Sequence, residues 1–154
     1  MKIIFDISKE DIIDTNQRVI ALNLDDLDVV WVNHDRLDEV FKIFDKVEIT
    51  DDLQGLIKKG AYLMASIAWA QPFGGGNKRT AILITATFFH HNRAEMVIPE
   101  EDKELRKLLY DIQDKRSGLN EEIMEKIIFY ISKTITYHES WRYSISEYVS
   151  RKIF

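Results

Sequence analysis

The sequence predicts one all-α domain of about six helices with minor short strands. Apolar residues recur at three- and four-residue spacing nearly throughout, helix-start residues precede most of these runs, and only two prolines interrupt 154 residues. A chain of this length buries ~70% of its unfolded surface. With 45% hydrophobic residues it is no disordered tail.

Ser8, with Asp11 three residues on, forms a capping-box start for a first helix bearing Ile12, Ile13, Val19 and Ile20. Asn33 caps a second, with Leu37, Val40, Phe41 and Phe44 on one face. Thr50, Asp51 and Asp52 open a third, which runs through Leu53, Leu56, Ile57, Met64, Ile67 and Ala68 until Pro72 stops it. A fourth begins near Asn77 and carries Ile82, Leu83, Ala86 and Phe89. A fifth lies within Glu100 to Lys115, and Asn120 caps a sixth along Ile123, Ile127, Tyr130 and Ile131. Ser144 with Glu147 predicts a short terminal helix, and Ile3 to Phe5, Val47 to Ile49 and Met96 to Ile98 read as short strands. The whole of 1–154 reads as a single domain, with a core of about 8–135 and a helical extension over 136–154.

The net charge of -5 speaks against a nucleic-acid coat or a basic membrane anchor. It also hides a partition. Residues 1–52 hold 14 acids and six bases, whereas residues 53–94 hold five bases and no acid. Residues 60–77 are uncharged for 18 positions, but four glycines and Pro72 make them a buried helix and a loop rather than a membrane span. The start, Met1 to Asp6, is too short for a signal peptide. With no cysteine there is no disulfide framework or thiolate chemistry, and a cytoplasmic protein is expected.

The informative stretch is Gln71-Pro72-Phe73-Gly74-Gly75-Gly76-Asn77-Lys78-Arg79-Thr80. A helix ends, three glycines follow, and a new helix opens with Lys78 and Arg79 in its first turn. Glycines let backbone N–H groups converge, and a helix N-terminus adds orphan donors and a positive dipole end. Cations are unfavourable there unless an anion compensates them, so the stretch reads as an anion cradle. The alternative is a plain glycine turn between packed helices. The spacing is neither a Walker A nor a dinucleotide fingerprint.

Gln71-Pro72-Phe73-x-x-Gly76-Asn77-Lys78-Arg79-Thr80 resembles the signature loop of the Fic/Doc (Fido) superfamily, in the form of its Doc (death-on-curing) branch, His-x-Phe-x-x-Ala/Gly-Asn-Lys-Arg-Thr. Lys78-Arg79-Thr80-Ala81 is the Doc ending, and Ile82 stands where Fic adenylyltransferases carry a second Arg. The resemblance implies a compact Fido-type helical bundle. It implies a protein of toxin-antitoxin type that binds ATP or another nucleoside triphosphate, with Mg²⁺ held mainly by the phosphates, and transfers AMP or a phosphoryl group to a protein hydroxyl. An antitoxin partner and a protein substrate in the translation machinery are implied as well. On this resemblance Gly74, Gly75 and Gly76 offer backbone donors, Asn77 orients a phosphate oxygen, Lys78 and Arg79 neutralise charge, and Phe73 pins the loop.

Two positions depart from the family pattern. Gln71 takes the place of the catalytic His, and a carboxamide has no useful basicity; general-base catalysis is worth ~10²–10⁴-fold. Gly75 takes the place of the acidic residue that holds Mg²⁺, so no protein metal ligand is expected. The histidines do not substitute. His90 and His91 are adjacent near a helix end, where their charge suits the dipole, and His34 and His138 have no catalytic partner in sequence. Asp25, Asp26 and Asp28 read as a solvated loop rather than a calcium site, and Trp31, Trp69 and Trp141 as core or interface. Activity is expected to be weak or lost. The competing expectation is an inactive interaction protein that takes an antitoxin-like helical peptide near Phe41, Phe44 and Trp69. Neither nucleic acid nor a membrane is expected as a partner.

Overall fold

The computed structural model describes residues 1–22, 31–98 and 102–138. Six helices are present among them: α1 Lys9–Ala21, α2 His34–Asp45, α3 Leu53–Ala70, α4 Asn77–His91, α5 Lys103–Gln113 and α6 Glu121–Thr134. Short-range capping chemistry sets where five of them begin. Ser8 and Asp11 form a reciprocal capping box, and Asn33, Asp52, Asp102 and Asn120 each accept from the backbone N–H three residues on. α4 begins differently, on Gly76 in the left-handed region with no side-chain cap.

α3 is the axis of the fold and packs against α2, α4, α5 and α6, while α1 lies on α4. Its Leu56, Leu63, Met64, Ile67 and Ala68 are fully enclosed, and each large apolar side chain so buried contributes about 1.5–3 kcal/mol. A close approach joins α3 to α4: a Cβ added at Gly60 would lie 2.2 Å from Cζ of Phe89. Phe5 stacks on Phe44 with ring centroids 4.0 Å apart, and Phe44 meets Phe88 edge-on.

The strands differ from expectation. β1 is Ala94–Met96 and pairs antiparallel with β2, Ile135–Tyr137, with Met96 opposite Ile135. The first strand therefore starts two residues early, and part of the expected helical extension, Thr136 and Tyr137, is strand. Ile3 to Phe5 is no strand, because the Asn92 side chain satisfies it: Ile4 N–H donates to Oδ1 and Ile4 O accepts from Nδ2, both at 2.7 Å. Val47 to Ile49 forms no strand either; the Val47 N–H turns back to Phe44 O, and Lys58 Nζ donates to Glu48 O. α3 ends at Ala70, before Pro72, because Gln71 adopts φ 48°. The helix expected at Ser144 lies outside the described residues, as do Asp25, Asp26 and Asp28. No helix among the described residues is long and apolar enough to cross a membrane.

Candidate functional site

Between α3 and α4 the chain makes a loop tied down on three sides. From the 31–33 side, Asn33 N–H donates to Pro72 O at 2.7 Å, Gly74 N–H donates to Trp31 O at 3.1 Å, and Val32 bridges Phe73. From within, the Asn77 side chain accepts from Phe73 N–H and donates to Phe73 O, each at 3.0 Å. From α1, Asn16 Nδ2 donates to Gly75 O at 2.8 Å and lies 3.2 Å from Thr80 Oγ1. Phe73 is buried under the loop.

This bracing leaves the glycines with different tasks. Gly74 spends its N–H on Trp31, so it is no donor to a ligand in this conformation. Gly76 is the one glycine of the three that needs its freedom, with φ 71°. The first helical bond of α4 runs from Thr80 N–H to Gly76 O, so the N–H groups of Asn77 and Lys78 have no partner inside the helix. Asn77, whose side chain the resemblance gives to a phosphate, has that side chain engaged with Phe73.

A cavity of about 670 Å³ lies over the loop, lined by Gln71 and by every residue from Gly74 to Arg79. Its opposite wall is one face of α5: Asp102, Leu105, Arg106, Leu109 and Tyr110, at helical spacing. Arg106 thus joins Lys78 and Arg79 as a third cation among the described lining residues, and Asp102 is the one carboxylate among them. Lys78 reaches across to α5, where Nζ donates to Gln113 Oε1 and sits 4.1 Å above the Tyr110 ring centroid. Burial pushes the Lys78 ammonium below its usual value, and Asp114 opposes that shift. Asp102 accepts from Leu105 N–H and, at 2.7 Å, from the Tyr130 hydroxyl.

Gln71 also borders a second cavity of about 450 Å³, with Asn33, Asp35, Arg36, Glu39, Trp69, Gln113 and Arg116. Its carbonyl accepts a long bond from Arg36 Nη1, 3.4 Å. None of His34, His90, His91 or His138 lines either cavity, and no group of three or more metal-ligating side chains occurs among the described residues.

The profile of the Fic/DOC family matches residues 6–89, the segment that holds the loop and the α1 brace behind it. The chain belongs to the Fic/DOC family. No curated protein and no solved structure matches it significantly. In this Fic/DOC protein the matched segment ends within α4, so the α5 wall with Asp102, Arg106 and Tyr110 lies beyond it. Sequence reasoning missed Asn16, Asp102, Arg106 and Tyr110. Asn16 had left one signal: it is the polar member of the otherwise apolar stripe Ile12, Asn16, Val19.

Proposed function

We propose that this Fic/DOC protein, of the Doc-like toxin-antitoxin type, binds a nucleoside triphosphate, ATP or another, in the cavity between the loop and α5. The observation that carries the reading is the uncapped N-terminus of α4 opening into a cavity lined by Lys78, Arg79 and Arg106. Unpaired N–H groups and three cations compensate phosphate charge, and phosphate compensates cations that the helix dipole otherwise disfavours. Ile82, Ile98, Leu105 and Leu109 give the same cavity an apolar portion suited to a nucleoside.

Transfer to a protein hydroxyl requires the attacking oxygen to lose its proton as the new P–O bond forms and the bond to the leaving phosphate breaks. Gln71, at the border of the two cavities, cannot accept that proton. The loss of a base costs ~10²–10⁴-fold, roughly 3–5 kcal/mol of barrier. The described lining offers a protein-held Mg²⁺ little, because Gly75 has no ligand and Asp102, the one carboxylate among the described lining residues, already accepts from the Leu105 N–H and the Tyr130 hydroxyl. The reading therefore keeps the binding half of the family's activity and takes no step through a metal.

The test is a thermal-shift titration with ATP, GTP, CTP and UTP. A stabilisation that rises with ligand concentration, and that shrinks in Lys78→Ala, is expected. No shift with any triphosphate in the parent chain overturns the reading.

A second reading, as a partner-binding protein, is favoured by one observation. Phe41 and Phe44 do not form the expected groove, since Phe44 is buried and Phe41 packs against the core. A mostly apolar groove lies instead between α1 and α4, lined by Val19, Leu22, Ile82, Leu83, Ala86, Met96 and Ile98, with Arg79 at the side it shares with the loop cavity. Leu22 is 83% and Leu83 48% exposed there, and an amphipathic antitoxin-like helix is the occupant this reading gives it. Leu83→Asp should abolish capture of such a peptide without changing nucleotide-induced stabilisation; unchanged capture overturns it.

A further inference from the structure

Asn16 is 1% exposed, on the face of α1 that packs against α4. Burying a carboxamide there costs stability, and its Oδ1 has no hydrogen-bond partner. A carboxamide is rarely placed in such a slot of an apolar stripe like Ile12–Val19 without polar partners to hold. Fold stability alone therefore does not account for this residue, and its bonds point to the loop.

Asn16 Nδ2 donates to Gly75 O at 2.8 Å. The Gly75–Gly76 peptide is trans, and in a trans peptide the C=O and N–H point in opposite directions. A Gly75 carbonyl held inward against α1 therefore turns the Gly76 N–H outward, toward the cavity that both glycines line. The same amide lies 3.2 Å from Thr80 Oγ1 in the first turn of α4, so one side chain fixes the loop relative to the helix that follows it. α1 also closes the back of Gly76: a Cβ added there would meet Val19 Cγ1 at 3.0 Å and Asn16 Nδ2 at 3.4 Å.

We propose that Asn16 is a positioning residue that orients the Gly75–Gly76 peptide so that the Gly76 N–H is presented to a bound phosphate. The inference rests on the nucleotide reading for its ligand, but not for its geometry. Asn16→Leu removes the donor while keeping the branched outline in a somewhat larger side chain, and Asn16→Asp keeps the shape but sets a carboxylate against the Gly75 carbonyl.

Two measurements test it, on the full chain. The first is the ¹H–¹⁵N resonance of the Gly76 amide without ligand. It should move in both Asn16 variants. The second is calorimetric titration with inorganic triphosphate and with ATP, where either Asn16 variant should lose about tenfold or more in affinity. A Gly76 resonance left unmoved in a folded Asn16→Leu or Asn16→Asp overturns the inference, as does triphosphate affinity within about twofold of the parent. Should the parent bind neither ligand, the nucleotide reading fails, and the Gly76 resonance still decides whether Asn16 orients the peptide.

Discussion

Asn77 holds Phe73 by both its backbone groups, accepting from the N–H and donating to the carbonyl at 3.0 Å each. This closes the loop on itself before α4 begins, and it keeps the Phe73 ring beneath it. In Asn77→Ala both Phe73 groups lose a partner, at about 1–3 kcal/mol for each buried group left unpaired. In Asn77→Asp the N–H keeps its acceptor, but a buried carboxylate oxygen then faces the Phe73 carbonyl. Urea denaturation should therefore rank the parent above both Asn77→Asp and Asn77→Ala. Equal stability of the three would mean that the loop does not depend on this clamp.

The contrast between legible and illegible features follows chain distance. Ser8, Asn33, Asp52 and Asn120 announce their helices because a cap acts within three residues. The β1–β2 pair joins Ala94–Met96 to Ile135–Tyr137, and nothing local in either segment encodes that partner. Ile3 to Phe5 has strand composition, yet a side chain 88 positions away takes its backbone bonds. The site divides in the same way. Gly76, Lys78 and Arg79 are readable because the loop is contiguous, whereas Arg106, Tyr110 and Asp102 reach it only by the packing of α5 on α3. Residues 53–94 of the sequence hold no carboxylate, yet the cavity wall carries Asp102, from outside that window.

The α3–α4 contact at Gly60 has no room for a methyl group, since its Cβ would fall 2.2–2.5 Å from the Phe89 ring atoms. Phe89 is fully enclosed and cannot swing away. Gly60→Ala should lower stability by about 1–3 kcal/mol from overpacking, despite the gain in helix propensity. A denaturation midpoint at or above the parent's would show that the two helices separate easily.

The Asp102–Tyr130 pair gives opposite signs at the two ends of the pH scale. The Leu105 N–H, and then the Tyr130 hydroxyl, hold the Asp102 carboxyl below its ordinary 3.8. Its contribution is therefore present above about pH 4 and is lost as pH falls through the folded value. Desolvation first, then the Asp102 hydrogen bond, raises the Tyr130 phenol above its ordinary 10.0. That contribution is present below about pH 10 and is lost as pH climbs beyond it. Asp11, Asp38 and Asp52 are also held low, so Asp102→Asn should flatten only part of the acid limb of the stability curve. Tyr130→Phe should remove its share of the alkaline limb. An unchanged acid limb in Asp102→Asn would mean that other carboxylates carry it all.

The last prediction concerns Gln71, and it separates a dormant site from one that has lost more than its base. Gln71 lines both the loop cavity and the second cavity, and on the proposed reading an acceptor hydroxyl would meet the phosphates beside it. Its backbone is unusual: φ is 48° and the carbonyl is bonded to Arg36. That left-handed conformation is tolerated better by Asn, Asp or His than by most side chains, so histidine fits the backbone already present. If the missing base is the main defect, Gln71→His should raise transfer of label from ATP to a protein hydroxyl by about 10²-fold or more. Nucleotide-induced stabilisation should stay close to the parent's, because the proposed phosphate contacts lie with Lys78, Arg79 and Arg106 rather than with position 71. Stabilisation without transfer in this variant would place the remaining defect in the absent metal carboxylate at Gly75. The double variant Gly75→Glu with Gln71→His would then measure whether that carboxylate restores turnover.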